Sequence, residues 1–393
     1  MMEYKKSIGS ILDDMNLDIN FNLSDKEPPK PRLAKKEIES IVGSNNSFNI
    51  NIINGRFDEQ SSRLPKEVEL LGPQKIENDE LKNYLNKLDN NIISMNDGDG
   101  LAKLGFTLKC KEGCVGDVCI NYINHFEDSF FNQFRNNYIF EQNCQLNIFE
   151  RFFSINESSF PQLNNTISQI SLDKNARIKI FSAGSLCSHS QSKNYSSNFI
   201  TQRHNSSFCY FSANLDTSWS QKKTHIMLSE EEAKCNLYSA ECLNENQYSE
   251  HDISIKHNAP HCVSKQIYKG VFDSNSTSSF NSCVLVARDA QKTVAIQQNN
   301  NMILSDYAMV KSNPQLEIFA DDVECAHGST FGQLDKDALF YLQARGLKKP
   351  LAKKMLIHAF LADVFENIEN KELKNDLLNN VDRKIQSLSE SKT

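Results

Sequence analysis

The chain has 393 residues, 39% hydrophobic and 24% charged, a balance that fits a folded protein with a sizeable core and excludes wholesale disorder. Its formal charge of -7 and a sequence pI near 5.8 argue against nucleic acid or an acidic membrane as the main partner. The 11 cysteines are odd in number and scattered, which argues against a disulfide framework and fits a reducing compartment.

The opening stretch MMEYKKSIGSILDDMN has lysines but no long apolar region and no small-residue cleavage site. It does not read as a secretory signal. The expected compartment is the cytosol, with a plastid-like organelle matrix as the alternative. Residues 1–46 mix a short helical pattern with DKEPPKPRLAKKEIES, whose Pro-Lys cluster marks a helical or flexible arm.

From residue 47 the texture changes. Short apolar alternations recur, among them FNINII, LGFTLK, VCINYI, QLNIFERF, ARIKIF, DISIKH, TVAIQ and QLEIFA. Each is bounded by Asn, Asp, Gly or Ser, which is how strands read. So many strands over 47–333 predict a mainly β fold: a sandwich, a propeller or a solenoid. Few Asn-Gly or Asp-Gly turns separate adjacent strands, so tight hairpins are not the dominant connection. Polar links of variable length suit coils stacked in parallel, and Asn-rich tracts can ladder inside such stacks. No strict repeat is visible.

Residues 334–393 turn helical. Asp335 can cap a helix over KDALFYLQAR that Gly346 closes, and Pro350 suits the first turn of the next. Ala352, Leu356, Ala359, Phe360 and Val364 form one apolar stripe, and Leu373, Leu377, Val381, Ile385 and Leu388 another. Such stripes pack on the body of a protein or offer a docking face to another. The run MLIHAFLADVF is too short to span a bilayer, so no membrane insertion is expected.

Three groups of residues invite chemistry. Cys110, Cys114 and Cys119 in CKEGCVGDVC have spacing too loose for a zinc ribbon and fit half-buried fillers better. His257, His261 and Cys262 surround Pro260, which argues against a helix bringing the histidines together, so His257 reads as a buried, hydrogen-bonded core residue. The third is ADDVECAHGST. There Cys325 and His327 lie two residues apart on one side of an extended strand and can supply a thiolate and an imidazole. Two ligands do not close a site, so the pair reads as half of a shared metal centre, or else as an ordinary Cys/His pair in a folded strand. No P-loop, Gly-rich nucleotide turn or G-x-S-x-G elbow is present, and Trp219 stands alone without a stacking platform.

The residues PQLEIFADDVECAHGSTFGQLDKDALFYLQARG, from Pro314 to Gly346, resemble the closing signature of the SufB/SufD family of iron–sulfur cluster assembly scaffolds. SKQIYKGVF and DAQKTVAIQQNNNMILS resemble its core segments; NINIINGRF and LNKLDNNIISMNDGDGL resemble its N-terminal ones more loosely. His327-Gly328 matches the SufD-like form of the motif, and LSDYAMVKSNP lacks the cysteine that SufB-like chains carry there.

The resemblance implies a right-handed parallel β-helix core with flanking N- and C-terminal helical parts. It further implies a non-catalytic scaffold that forms a heterodimer with a SufB-like subunit through the β-helix core. A SufC-like ABC ATPase, the seat of ATP hydrolysis, would dock on the C-terminal helices, with Phe340, Tyr341, Arg345, Leu356 and Phe360 as candidate contacts. His327, with Cys325 beside it, would face a transient iron–sulfur cluster shared with the SufB-like chain. The resemblance also allows for a reduced flavin in the assembled complex. The competing readings are a β-solenoid carbohydrate-acting enzyme and a stand-alone zinc or redox protein built on Cys110, Cys114 and Cys119.

Overall fold

A computed structural model describes residues 33–42, 48–73, 104–124, 130–154, 162–183, 193–215 and 218–390. The first 32 residues, and with them most of the N-terminal arm, lie outside this set, as does all of LNKLDNNIISMNDGDGL.

Two sheets run through the described residues, one of ten strands and one of nine, and the chain alternates between them. Lys234–Leu243, Val263–Phe272, Val294–Ile303 and Glu324–Gly332 stack in the larger sheet. Tyr248–His257, Thr277–Val286 and Met309–Ile318 stack in the smaller. Val263 pairs with Val294 and Val294 with Glu324, steps of 31 and 30 residues, so each coil takes about thirty residues. These ladders are parallel. Among the described residues, antiparallel strand pairing is confined to the opening, where Phe48–Ile53 meets Arg56–Phe57 and Val68–Leu71 meets Leu104–Cys110. The architecture is a parallel β-solenoid, and the sandwich and propeller alternatives fall away.

The alternating sequence explains the solenoid. In Thr277–Val286 every second residue faces inward and is buried: Ser278, Phe280, Ser282, Val284 and Val286. In-register stacking then sets like on like, so that Ile200, Ile226, Ile255 and Val284 form one interior file. Each such side chain contributes about 1.5–3 kcal/mol by leaving water. Between the sheets the chain turns through residues with left-handed backbones, Asn143 (φ 62), Asn175 (φ 59) and Asn205 (φ 50), which asparagine tolerates better than most residues. Their side chains ladder: Asn175 Nδ2 donates to Asn143 Oδ1 at 3.1 Å, and Asn205 Nδ2 to Asn175 Oδ1 at 2.9 Å.

Among the described residues, four helices flank the solenoid: α1 (Lys35–Val42), α2 (Lys336–Ala344), α3 (Lys349–Ala362) and α4 (Lys371–Glu390). The carboxylate of Asp335 caps α2 by accepting from the backbone N–H groups of Asp337 and Ala338, at 2.9 and 3.0 Å. Gly346, at φ 91, lets the chain turn out of it. The two apolar stripes pack on the body. Ile357, Leu361, Phe365, Leu377, Val381 and Ile385 share one buried cluster with the outer face of the ten-stranded sheet. There Phe149, Phe181, Phe211 and Tyr238 stack coil on coil, with ring centroids 5.5, 5.1 and 4.8 Å apart. The α4 stripe sits where its spacing predicts. On α3 the stripe is rotated in part: Ala352 and Val364 are buried and Leu356 and Phe360 half-buried, but Ala359 is exposed, and Ile357 and Leu361 join the inner face. That helix is apolar on nearly every side, so periodicity alone could not choose between stripes one residue apart. No helix among the described residues is long and apolar enough to cross a membrane.

Candidate functional site

Among the described residues, the last coil has a neighbour on one side only. Met309–Ile318 and Glu324–Gly332 are the terminal strands of their sheets, so one edge of each carries no strand partner. Register places Cys325 over Ala295, His327 over Gln297, Ser329 over Asn299 and Phe331 over Asn301. The four lower residues are buried inside the solenoid. Cys325 and His327 therefore hold interior positions of a coil whose far side is open. Their Cα atoms are about 7 Å apart along the extended chain. His327 is exposed, and Cys325 is half-buried against the interior core. Burial pushes the Cys325 thiol up from its ordinary value, so it is protonated at neutral pH.

The donor set ends with these two. Glu324 projects to the opposite face of the strand, and Asp322 is paired with Lys292 in the preceding turn. Among the described residues no group of three His, Cys, Asp or Glu gathers to hold a metal ion. The pair can bind one soft or borderline cation from one side and leaves the other side of its coordination sphere to be filled from elsewhere.

Large apolar side chains surround the open end. Of the eleven exposed among the described residues, five belong to the last coil: Tyr307, Met309, Ile318, Phe319 and Phe331. Four more lie on the helical hairpin α2–α3: Phe340, Tyr341, Leu351 and Met355. Phe340 is 72% exposed and Tyr341 56%, with the Arg345 guanidinium 4.9 Å from the Tyr341 ring. The other two docking candidates turn toward the body. Leu356 is half-buried, and Phe360 packs beside the sheet cluster with Lys269 Nζ 5.0 Å above its ring. Leu351 and Met355 are the exposed residues that the expected stripe missed, and for the same reason that it was rotated.

The remaining candidates separate. Cys110 and Cys114 meet at a turn, where the Cys110 S–H donates to Cys114; this raises the pKa of the first and lowers that of the second. Cys144 stacks from the next coil, its thiol donating to the Lys111 carbonyl at 3.0 Å. Cys119 lies on the other face of its strand, in the cluster under the helices, so it cannot complete a site with Cys110 and Cys114. His257 is fully buried, with Nε2 2.9 Å from Ser264 Oγ, and burial pushes its pKa down to about 4. His261 occupies a left-handed turn position, at φ 59.

Comparison with known proteins adds to this geometry. The family described as SUF system FeS cluster assembly, SufBD core domain, matches residues 123–360. The chain is 31% identical over 236 residues to an iron–sulfur cluster assembly SufBD family protein of Synechocystis sp., covering 58% of this chain and 52% of that protein. It is 37% identical over 131 residues to the iron–sulfur cluster assembly protein SufD of Escherichia coli, covering 33% and 31%. It is 28% identical over 249 residues to protein ABCI7, chloroplastic, of Arabidopsis thaliana, covering 61% and 50%. The matches span about half the length of these relatives or less.

Proposed function

The chain belongs to the SufBD core family of the SUF iron–sulfur cluster assembly system, and on that premise we propose that it is the SufD-type scaffold subunit of a SufB–SufC–SufD complex. The observation that carries this reading is the uncapped last coil bearing His327 and Cys325. Free strand edges and clustered apolar side chains are features that a lone protein blunts and an interface uses. A SufB-like chain covering this end would bury Tyr307, Met309, Phe319 and Phe331 and supply the ligands that the half-site lacks.

The nascent cluster is cargo, assembled between the two chains. His327 binds it through the lone pair of a neutral imidazole, which needs no proton loss. Cys325 must first give up a proton that burial holds in place, so it plays the lesser part. The exposed face of the α2–α3 hairpin receives a SufC-like ABC ATPase, and ATP hydrolysis belongs to that partner. A cytosol or plastid-like matrix is the proposed setting.

The test is co-purification with a SufB-like chain and an ABC-type ATPase, using point variants at each end. Phe331→Asp should lose the first partner alone, and Phe340→Ala with Met355→Glu the second alone. Truncation is unsuited, because α3 and α4 cover an apolar sheet face. Capture of neither partner by the native chain would reject the reading.

A further inference from the structure

Beneath His327 runs a one-way chain of hydrogen bonds. Ser282 Oγ donates to Gln266 Oε1 at 2.8 Å and accepts from Gln297 Nε2 at 2.9 Å. A hydroxyl has one proton, and here Gln266 receives it. The Gln297 amide therefore turns its NH2 toward Ser282 and its carbonyl away. Gln297 is 1% exposed, and its Oε1 has no hydrogen-bond partner. A buried acceptor left unsatisfied loses its hydration with nothing in return, so this orphan calls for a donor. Gln297 is the register partner of His327, one strand below at about 4.8 Å, with both side chains on the interior face. The hydroxyls of Ser329 and Ser312 in the last coil are also buried without partners. Either can rotate to suit a neighbour, whereas the Gln297 carbonyl turns only if Ser282 and Gln266, whose Nε2 is also buried without a partner, reverse with it.

We propose that Gln297 is a positioning residue for His327: its Oε1 accepts the N–H of one imidazole nitrogen, which fixes the tautomer and directs the other nitrogen's lone pair out of the open end. An acceptor on the far nitrogen also makes the ligating nitrogen more basic. The inference rests on the reading of His327 as a cluster ligand, and it gives the upper end of the buried Gln266–Ser282–Gln297 relay a partner.

The experiment is nitrogen NMR on the full chain labelled with 15N-histidine, with the His327 signals assigned by their loss in His327→Gln. The native ring should show one dominant tautomer. Gln297→Met, which keeps the volume and removes the acceptor, should change the tautomer ratio about fivefold. Gln297→Glu should restore it, and the other eight histidines should stay where they are. On the assembled complex, Gln297→Met should lower cluster formation about tenfold and Gln297→Glu should recover it. An identical tautomer ratio in native and Gln297→Met chains would overturn the proposal. If the Met variant does not fold, Gln297→Leu, which also lacks the acceptor, takes its place, and an identical tautomer ratio in native and Gln297→Leu chains would overturn it instead. The NMR readout needs no cluster. Unimpaired cluster formation in His327→Ala would therefore overturn the ligand role itself, separately from the hydrogen bond.

Discussion

His257 and His327 hold the same kind of position, facing the interior of the solenoid on a terminal or near-terminal half of a strand, and differ in what is stacked above them. His257 has Leu228 below and Val286 above in register, is fully buried, and is held neutral by that burial. His327 has Gln297 below and no strand above, and it stands exposed. One repeat thus yields a core histidine in the middle and a candidate ligand at the end. What sets the end apart is that the stacking stops there.

The contrast is broken most severely from the middle. Ile255→Ala empties a fully buried position in the interior file and should lower stability by about 2–5 kcal/mol in a denaturant titration; a loss below about 1 kcal/mol would mean that the mid-solenoid core is not close-packed.

The next effect is on pH dependence. The His257 pKa in the folded chain is pushed down to about 4, against about 6.5 when unfolded. Between those values the unfolded chain takes up a proton that the native ring refuses. Stability is therefore complete above the unfolded value and is lost as pH falls toward 4, by up to about 3 kcal/mol. His257→Gln should flatten that part of the stability–pH curve, and an unchanged slope would remove His257 as its cause.

The smallest effect belongs to the end. Phe331→Ser should shift stability by no more than about 0.5 kcal/mol while abolishing capture of the SufB-like chain. A destabilisation above about 2 kcal/mol would show that the last coil is packed like the middle.

Much of this contrast was legible in the sequence. Period-two alternation gave the strands, and the scarcity of hairpin turns pointed to parallel coils. Spacing alone put Cys325 and His327 on one side of a strand. Pairing across coils was not legible, because partners lie about thirty residues apart without a visible repeat. The Asn143–Asn175–Asn205 ladder and the Gln297–His327 register both depend on that pairing. Cys110, Cys114 and Cys119, whose spacing already read as too loose for a zinc ribbon, fall into two separate buried clusters, a division that spacing alone does not show. On α3 apolar residues on nearly every side, with Lys353, Lys354 and His358 between them, hid which side faces out, so Leu351 and Met355 became visible only once the helix was packed.

Cluster formation by His327→Ala, assembled with its SufB-like and ATPase partners, sets the account at greatest risk. The account expects the variant to unfold within a degree or two of the native chain, to bind both partners, and to form little cluster, because an exposed end-position side chain contributes little to folding. Cys325→Ser should show a milder defect in the same assay. A large loss of stability with cluster formation unchanged in the surviving complex would contradict it and make His327 a structural residue of the last coil.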